Sequence, residues 1–186
     1  MALVRQKGFT ATSVDDLCRH AGVTKGAFFH HFASKDELGI SAAKYWSETT
    51  GALFEAAPFH TLADPLDRVL AYIDFRRDII SGDISEFTCL VGTMAQEAHT
   101  TAPDIAKACG DSIFGHAETL VSDISDAMDI YNVTSDWTAE SLARHTQAAI
   151  QGGFILAKAG GGTDAAKDAI THLRRYISLL FKGTPE

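Results

Sequence analysis

Two histidines and two phenylalanines stand side by side in the stretch VTKGAFFHHFASKDEL, residues 23–38. Such a stretch could be a histidine metal site, a small aromatic core, or a surface that contacts something large and polar. Adjacent His30 and His31 cannot both point one way on a helix, and zinc-binding histidine pairs usually sit four residues apart. The spacing disfavours a metal site, and we expect no metal and no other cofactor.

Enzyme chemistry has little support in the sequence. Serine, histidine and aspartate are present, but there is no Gly-x-Ser-x-Gly nucleophile motif and no phosphate-binding glycine loop. The glycines at 160–162 fall between two predicted helices, which is the wrong context for a nucleotide loop. We therefore expect a protein that is not an enzyme.

Composition indicates a folded cytoplasmic protein. Hydrophobic residues make up 46% of the 186 residues, enough for a substantial core. No apolar run approaches the roughly 20 residues that span a bilayer, and MALVRQKGF lacks the features of a secretory signal. The three cysteines, Cys18, Cys89 and Cys109, have no CxxC spacing, which fits a reducing compartment.

Charge is unevenly distributed along the chain. The net charge is −8, but residues 1–50 hold six basic and five acidic residues, a net of +1, which leaves −9 for the other 136. A near-neutral N-terminal segment on an acidic body suggests two tasks in one chain.

Apolar spacing predicts an all-α fold. In residues 163–181 the apolar set Ala166, Ile170, Leu173, Ile177 and Leu180 steps by four and three, which gives one helical stripe. Strand-like alternation and hairpin turn pairs are absent. Beyond the first fifty residues, helices are expected near 63–80, 85–99, 104–130, 136–159 and 163–182.

Helix caps divide the first fifty residues. Thr12 or Ser13 can cap a helix over VDDLCRHA, which Gly22 then ends. Thr24 can cap a short helix, KGAFFHHF, and Ser34 with Glu37 predicts a capping box that opens a third helix. A helix, a tight glycine turn and a short second helix form the helix-turn-helix pattern, whose second helix can enter the DNA major groove.

The run TSVDDLCRHAGVTKGAFFHHFASKDEL closely resembles the DNA-binding signature of TetR-family transcriptional regulators. The match covers residues 8–40 almost continuously. It implies an N-terminal three-helix helix-turn-helix domain, residues 1–46, followed by a larger helical ligand-binding and dimerisation domain, residues 47–186. The family's first helix usually begins about a dozen residues earlier, so we expect the first helix to be incomplete at its start.

The resemblance assigns roles in DNA binding to several residues. Thr24 would cap the recognition helix and could contact phosphate, Lys25 and Lys35 would meet phosphates, and His30 would reach the sugar-phosphate backbone. The complete predicted DNA-binding set is Thr24, Lys25, Gly26, Ala27, Phe28, Phe29, His30 and Lys35.

Two phenylalanines of the short helix have different expectations. Phe28 could contact bases or pack inside the protein, whereas Phe32, which is outside the DNA-binding set, is expected to pack where the short helix meets its neighbours. The family often has Thr at position 27 and Tyr at position 29, so Ala27 would favour apolar contact with thymine methyls and Phe29 could contribute packing. Gly26 would let the helix backbone approach another surface.

The body supplies candidate ligand and dimer contacts. Ligand sites in helical bodies form between amphipathic helices with a few polar groups. The predicted ligand-binding residues are Phe75, Cys89, Met94, Phe114, Gln151 and Phe154, each of which could also be ordinary core. The small-residue run LARHTQAAIQGGFILAKAGGG and the 163–182 stripe predict a hairpin of two C-terminal helices, and the family resemblance implies that these two helices form a homodimer.

The resulting hypothesis is a cytoplasmic homodimeric regulator, a repressor, that binds double-stranded DNA at a palindromic operator and is released by a small-molecule effector of apolar character. Two alternatives remain from the residues: a helical ligand-binding protein that does not bind DNA, and a thiol-based redox sensor that uses Cys89.

Overall fold

The computed structural model describes residues 1–182, and within them every regular element is helical. The helices are α1 (Ala2–Lys7), α2 (Val14–Ala21), α3 (Lys25–His31), α4 (Lys35–Glu55), α5 (Pro65–Asp78), α6 (Ile84–Phe87), α7 (Leu90–Ala98), α8 (Pro103–Glu118), α9 (Val121–Ile130), α10 (Ala139–Leu156) and α11 (Gly162–Lys182). A short 3₁₀ turn, Pro58–Thr61, joins α4 to α5. The all-α prediction is confirmed.

The caps predicted in the first fifty residues are present. Ser13 forms a capping box with Asp16, and Gly22 ends α2 with φ 69°, a left-handed conformation that glycine adopts without steric cost. Ser34 Oγ accepts from the Glu37 N–H at 3.1 Å. The Glu37 carboxylate accepts at 2.6 Å from the N–H of Ala33, one residue before the cap, so the predicted capping box is only half formed.

Two predicted helices are each split in two. The expected helix over 104–130 breaks after Glu118, and the turn at Thr119–Leu120 leaves Leu120 only 3% exposed, in the core. The expected helix over 85–99 breaks at Thr88, whose extended backbone ends α6 and whose hydroxyl donates to the Ile84 carbonyl. Cys89 then caps α7. In both cases burial of the turn residue redirects the chain without a glycine or proline.

Two buried clusters hold the helices together. The larger cluster joins α5, α9, α10 and α11 and includes the predicted stripe of Ala166, Ile170, Leu173 and Ile177, each at most 3% exposed. The second joins α1, α4, α7 and α8 around Val4, Met94 and Ile105, and so ties the first helix to the body.

The predicted division between residues 46 and 47 falls inside α4, which runs without a break from Lys35 to Glu55. One rigid helix therefore passes from the N-terminal unit into the body, and residues 183–186 of the predicted second domain lie outside the described residues. No helix in the described part of the chain is both long and apolar enough to cross a bilayer.

Candidate DNA-binding surface and ligand cavity

Helices α2 and α3 form a helix-turn-helix unit. Gly22 makes the turn between them, and Thr24 Oγ1 accepts from the Ala27 N–H at 3.1 Å to start α3. On the inner side of α3, the ring of Phe28 lies 5.6 Å from that of Phe32. These contacts fix α3 as a short rigid helix with one side turned inward.

The outer face of α3 is open to solvent. Lys25, Gly26, Ala27 and His30 are exposed, and Phe29 is 53% exposed. A Cβ added to Gly26 would meet only the Thr24 hydroxyl, at an ordinary 3.7 Å. Since no described residue crowds this position, the small size of Gly26 is available for the approach of an external surface.

Lys25 is held at this face by a surface ion pair. Its Nζ lies 2.8 Å from a carboxylate oxygen of Asp15, with both side chains more than half exposed. The hydrogen bond that Lys25 donates to Asp15, and after it the negative charge of Asp15, raise the pKa of Lys25. An exposed pair of this kind contributes little stability, so a phosphate can replace Asp15 at small cost.

Two residues predicted to contact DNA are placed elsewhere. Phe28 is buried at 7% exposed, so its ring packs under α3 and does not face a base. Lys35 Nζ donates to the backbone carbonyls of Phe9 at 3.0 Å and Thr12 at 3.1 Å, and lies 4.5 Å from the Phe9 ring centroid. Its ammonium group therefore stabilises the α1–α2 turn, and we leave both residues out of the DNA-contacting set proposed below.

Phe32 is half-buried and reaches its packing partners from the end of α3. His30 and His31 meet edge to face, with ring centroids 5.1 Å apart. Within residues 1–182 no group of three or more His, Cys, Asp or Glu side chains is arranged to hold a metal ion.

A small cavity of about 50 Å³ lies in the body among α4, α5, α7, α8 and α10. Its apolar walls include Trp46, Phe54, Phe87 and Phe154, and its polar walls come from Thr50, Arg76, Ser112, His116, Gln147 and Gln151. A second cavity of about 290 Å³ shares Phe54 and His116 with the first and is bounded by Phe59 and Leu120. Together they have the mixed lining typical of a small-molecule site.

A hydrogen-bond chain crosses the wall between the two cavities. The Gln147 amide donates to the Tyr72 hydroxyl at 2.9 Å, and that hydroxyl lies 3.0 Å from His116 Nε2. Burial, and after it the charge of Arg76, lowers the pKa of His116 to about 4. His116 is therefore neutral near pH 7.

The predicted ligand-binding residues divide into two groups. Cys89, Gln151 and Phe154 line the 50 Å³ cavity. Phe75 lies behind its wall, edge to face with Phe54 at 5.5 Å.

Two further predicted ligand-binding residues do not line this cavity. Phe114 is 57% exposed on the outside of α8, and Met94 is fully buried in the cluster beside α1. Met94 instead reaches an apolar groove of about 610 Å³ beneath α3, which Val4 and Phe32 also line.

Arg76, Ser112, His116 and Gln147 were absent from the predicted ligand site. Their side chains come from three different helices, α5, α8 and α10. No local motif joins them, so only the packing of those helices places them in one wall.

Comparison with known proteins agrees with a DNA-binding regulator of the helix-turn-helix class. Residues 1–41 match "Bacterial regulatory proteins, tetR family", and residues 65–172 match "Transcriptional regulator LmrA/YxaF-like, C-terminal domain". The second match alone covers more than half of the chain. The chain belongs to the TetR family and is a ligand-responsive, DNA-binding transcriptional regulator and not an enzyme.

Several known proteins are similar over most of the chain. The transcriptional regulator AcuR of Cereibacter sphaeroides is 22% identical over 153 residues, which cover 82% of this chain and 70% of AcuR. The repressor NemR of Escherichia coli K12 is 24% identical over 183 residues, 95% of this chain and 88% of NemR. A TetR-family regulator from Agrobacterium tumefaciens has the same fold, with a TM-score of 0.81 at 18% identity over 94% of this chain and 91% of that chain.

Proposed function

We propose that the chain is a cytoplasmic homodimeric repressor that binds a palindromic operator through α3 and is released when a small molecule enters the body cavities. Proteins of this family bind operator DNA and effectors and form dimers. The observation that carries the DNA-binding part is the open face of α3 around Gly26, where no other part of the described chain limits an approaching surface.

Each part of the α3 face has a role on DNA. Thr24, Lys25 and His30 contact phosphates and sugars, which position the protein without reading sequence. Ala27 and Phe29 contact base edges, with apolar contact to thymine methyls as the readout. Gly26 allows the first turn of α3 to lie close to the groove wall.

The dimer forms through α10 and α11. Ile155 and Leu156 near the end of α10 are 50% and 55% exposed, and Tyr176 and Leu179 on α11 are 45% and 46% exposed. Large apolar side chains are thus exposed at both ends of the antiparallel α10–α11 pair, Ile155 and Leu156 at one end and Tyr176 and Leu179 at the other, and a second copy can cover them. In the proposed dimer a twofold axis beside these helices presents two α3 helices to one face of the DNA.

Effector binding changes DNA affinity through α4, which links the cavity to the helix-turn-helix unit. The cavity residues Trp46, Thr50 and Phe54 belong to α4, the same helix that begins beside α3. A ligand that moves α4 therefore changes the separation of the two α3 helices in the dimer. Coupling of this kind is typically about 1–3 kcal/mol, enough for a severalfold to hundredfold change in operator occupancy.

Selection of bound DNA from a random pool tests the proposal. Wild-type protein should enrich a palindrome, and the Gly26→Ala variant should enrich it weakly or not at all. A pool that shows no sequence enrichment would overturn the DNA-binding role assigned to α3.

A second candidate function is thiol sensing at Cys89. Cys89 is half-buried at the N-cap of α7, and its Sγ accepts from the Gly92 N–H at 3.3 Å. The Arg5 guanidinium donates to the carbonyl of Thr88, the residue before Cys89, at 3.2 Å, so a cation lies near this thiol. Burial raises the pKa of the Cys109 thiol to about 12.

The Cys89→Ser variant distinguishes thiol sensing from release by a small-molecule effector. If Cys89 is the sensor, Cys89→Ser abolishes release of DNA by hydrogen peroxide and leaves operator affinity intact. A peroxide response that persists in Cys89→Ser excludes this candidate, and Cys109→Ser is the matched control.

A further inference from the structure

The wall of the 50 Å³ cavity contains a positive charge with no acidic partner. Arg76 lines the cavity from the last turn of α5, and its Nε is fully buried without a hydrogen bond. Its neighbours behave differently, because Arg77 pairs with Asp74 and Asp78, and Arg174 pairs with Asp74. Among the described residues Arg76 makes neither an ion pair nor a hydrogen bond.

Aromatic rings hold the Arg76 guanidinium in place without neutralising it. Its central carbon lies 4.8 Å from the Phe54 ring centroid and 5.9 Å from that of Tyr72. A guanidinium over a ring face is stabilised by the ring quadrupole, and its N–H donors, which lie in the guanidinium plane, stay free for other acceptors. The two rings therefore orient a fork of donors beside the cavity.

Two neutral polar side chains share this wall with Arg76. Ser112, which is 8% exposed, and Gln151 line the cavity. Among the described residues, no Asp or Glu lines it. Buried donors in native proteins are normally paired, so the unpaired Nε of Arg76 indicates a missing acceptor in this space.

We infer that this cavity binds the carboxylate of a small organic acid, with Arg76 as the charge partner and Ser112 and Gln151 as further hydrogen-bonding groups. A guanidinium binds a carboxylate through two parallel N–H···O hydrogen bonds between opposite charges. A neutral amide lacks the negative charge and therefore binds a guanidinium more weakly. The inference rests on the proposed effector site and names the chemical class of the effector.

The second cavity accommodates the apolar part of such an acid. It adjoins the first at Phe54 and His116, and Phe59 and Leu120 are among its walls. An acid that spans the two spaces places its carboxylate at Arg76 and its hydrocarbon part beside Phe59 and Leu120. The effector is therefore amphipathic, which revises the expectation of an apolar ligand.

Matched acids and amides test the inference without DNA. Sodium benzoate is compared with benzamide, and sodium hexanoate with hexanamide, by calorimetric titration and thermal shift at constant ionic strength. In the wild type at least one acid should bind tenfold or more tightly than its amide. Sodium phosphate at the same ionic strength separates a carboxylate site from a general anion effect.

Variants at adjacent arginines show whether Arg76 is responsible. Arg76→Met should abolish the preference for the acid, Arg76→Lys should retain part of it, and Arg77→Met should retain all of it. Arg76→Gln serves as a second neutral variant if Arg76→Met does not fold. Equal binding of acid and amide, an acid preference that survives in both neutral variants, or stabilisation by phosphate equal to that by the acids would overturn the inference.

Failure of the inference is distinguishable from failure of the proposed function. Acid binding that depends on Arg76 but leaves operator affinity unchanged would support the anion site and contradict ligand-induced release. Release of DNA by the amides as readily as by the acids would support the regulator and contradict the anion site.

Discussion

The Arg5 guanidinium lies 5.0 Å from the ring centroid of Trp46. Arg5 belongs to α1 and Trp46 to α4, where it lines the proposed effector cavity. Arg5 also donates to the backbone carbonyls of Glu86 and Thr88, both at 3.2 Å, just before Cys89. One side chain of the N-terminal unit thus contacts two walls of the cavity.

Replacing Arg5 should loosen the link between the two units. Arg5→Gln loses both carbonyl bonds and the ring contact, and we expect the free energy of unfolding to fall by about 2 kcal/mol in urea titrations, since each lost bond has a charged donor. Operator affinity should fall severalfold because α1 no longer supports the helix-turn-helix unit. Lys7 lies on the same helix as Arg5 and forms an exposed ion pair with Asp16 of α2, so Lys7→Gln should change the free energy of unfolding and the operator affinity little. Equal effects of the two variants would contradict a specific role for Arg5 in joining the two units.

Gly26 should matter for DNA and not for folding. Gly26→Ala adds a methyl group that makes only an ordinary contact, with the Thr24 hydroxyl, and should leave the melting temperature unchanged or raised. Operator affinity, measured by fluorescence anisotropy, should fall tenfold or more because the methyl group meets the groove wall. Gly110→Ala, also in an open helical position, should keep full affinity, and an unimpaired Gly26→Ala would show that α3 does not approach DNA closely.

Lys25 and Lys35, both predicted to contact phosphate, should differ in their effects on DNA binding and on stability. Lys25→Ala should weaken binding to all sequences and reduce the slope of log affinity against log salt by about one. Lys35→Ala should lower stability by about 1–3 kcal/mol, since Lys35 donates to backbone carbonyls, with an unchanged salt slope. A reduced slope for Lys35→Ala would restore the phosphate contact inferred from the family resemblance.

Features that depend on residues close together in the sequence could be predicted, and features that depend on helix packing could not. The helix starts at Ser13, Thr24 and Ser34 were predictable because a cap is a bond between residues three apart. The burial of Phe28 and the bonds from Lys35 to the Phe9 and Thr12 carbonyls were not predictable in this way, because both depend on how α3 and α4 pack against the preceding helices.

The cavity was less predictable than the DNA-binding face for the same reason. Aromatic and polar residues recur along every amphipathic helix, and sequence alone does not tell which face a neighbour covers. Phe114 and Phe154 look alike in the sequence, yet one is 57% and the other 7% exposed. Arg76 and Arg77 are adjacent in the last turn of α5. Only the structure shows that Arg77 has an acidic ion-pair partner while Arg76 has none among the described residues.

Stability should fall at acid pH because of His116. Its pKa is about 4 in the folded protein against 6.5 for the free side chain, so the unfolded chain takes up the proton first. The contribution is fully present above about pH 6.5 and is lost as the pH falls towards 4, by up to about 3 kcal/mol. Urea titrations of His116→Gln should show a flatter pH profile than the wild type between those values, whereas exposed His20→Gln should keep the wild-type profile; identical profiles for all three would contradict the burial argument.

The dimer should depend on the exposed apolar residues of α11. Leu179→Asp places a charge on the exposed side of α11 in the proposed interface and should convert the dimer to monomer in sedimentation velocity, with unchanged helicity. Leu53→Asp, a similarly exposed leucine on α4 at 47%, is the matched control and should remain dimeric. A dimeric Leu179→Asp would place the interface elsewhere.

The most direct test of the central claim is the spacing of the two half-sites. A palindrome enriched from random DNA should have half-site centres about one helical turn, roughly 34–36 Å, or a multiple of it apart. Anisotropy titration should show that inserting five base pairs between the half-sites, which turns them to opposite faces of the duplex, lowers affinity by at least tenfold. Undiminished binding to the lengthened site would contradict a rigid homodimer that presents two α3 helices to one face of its operator.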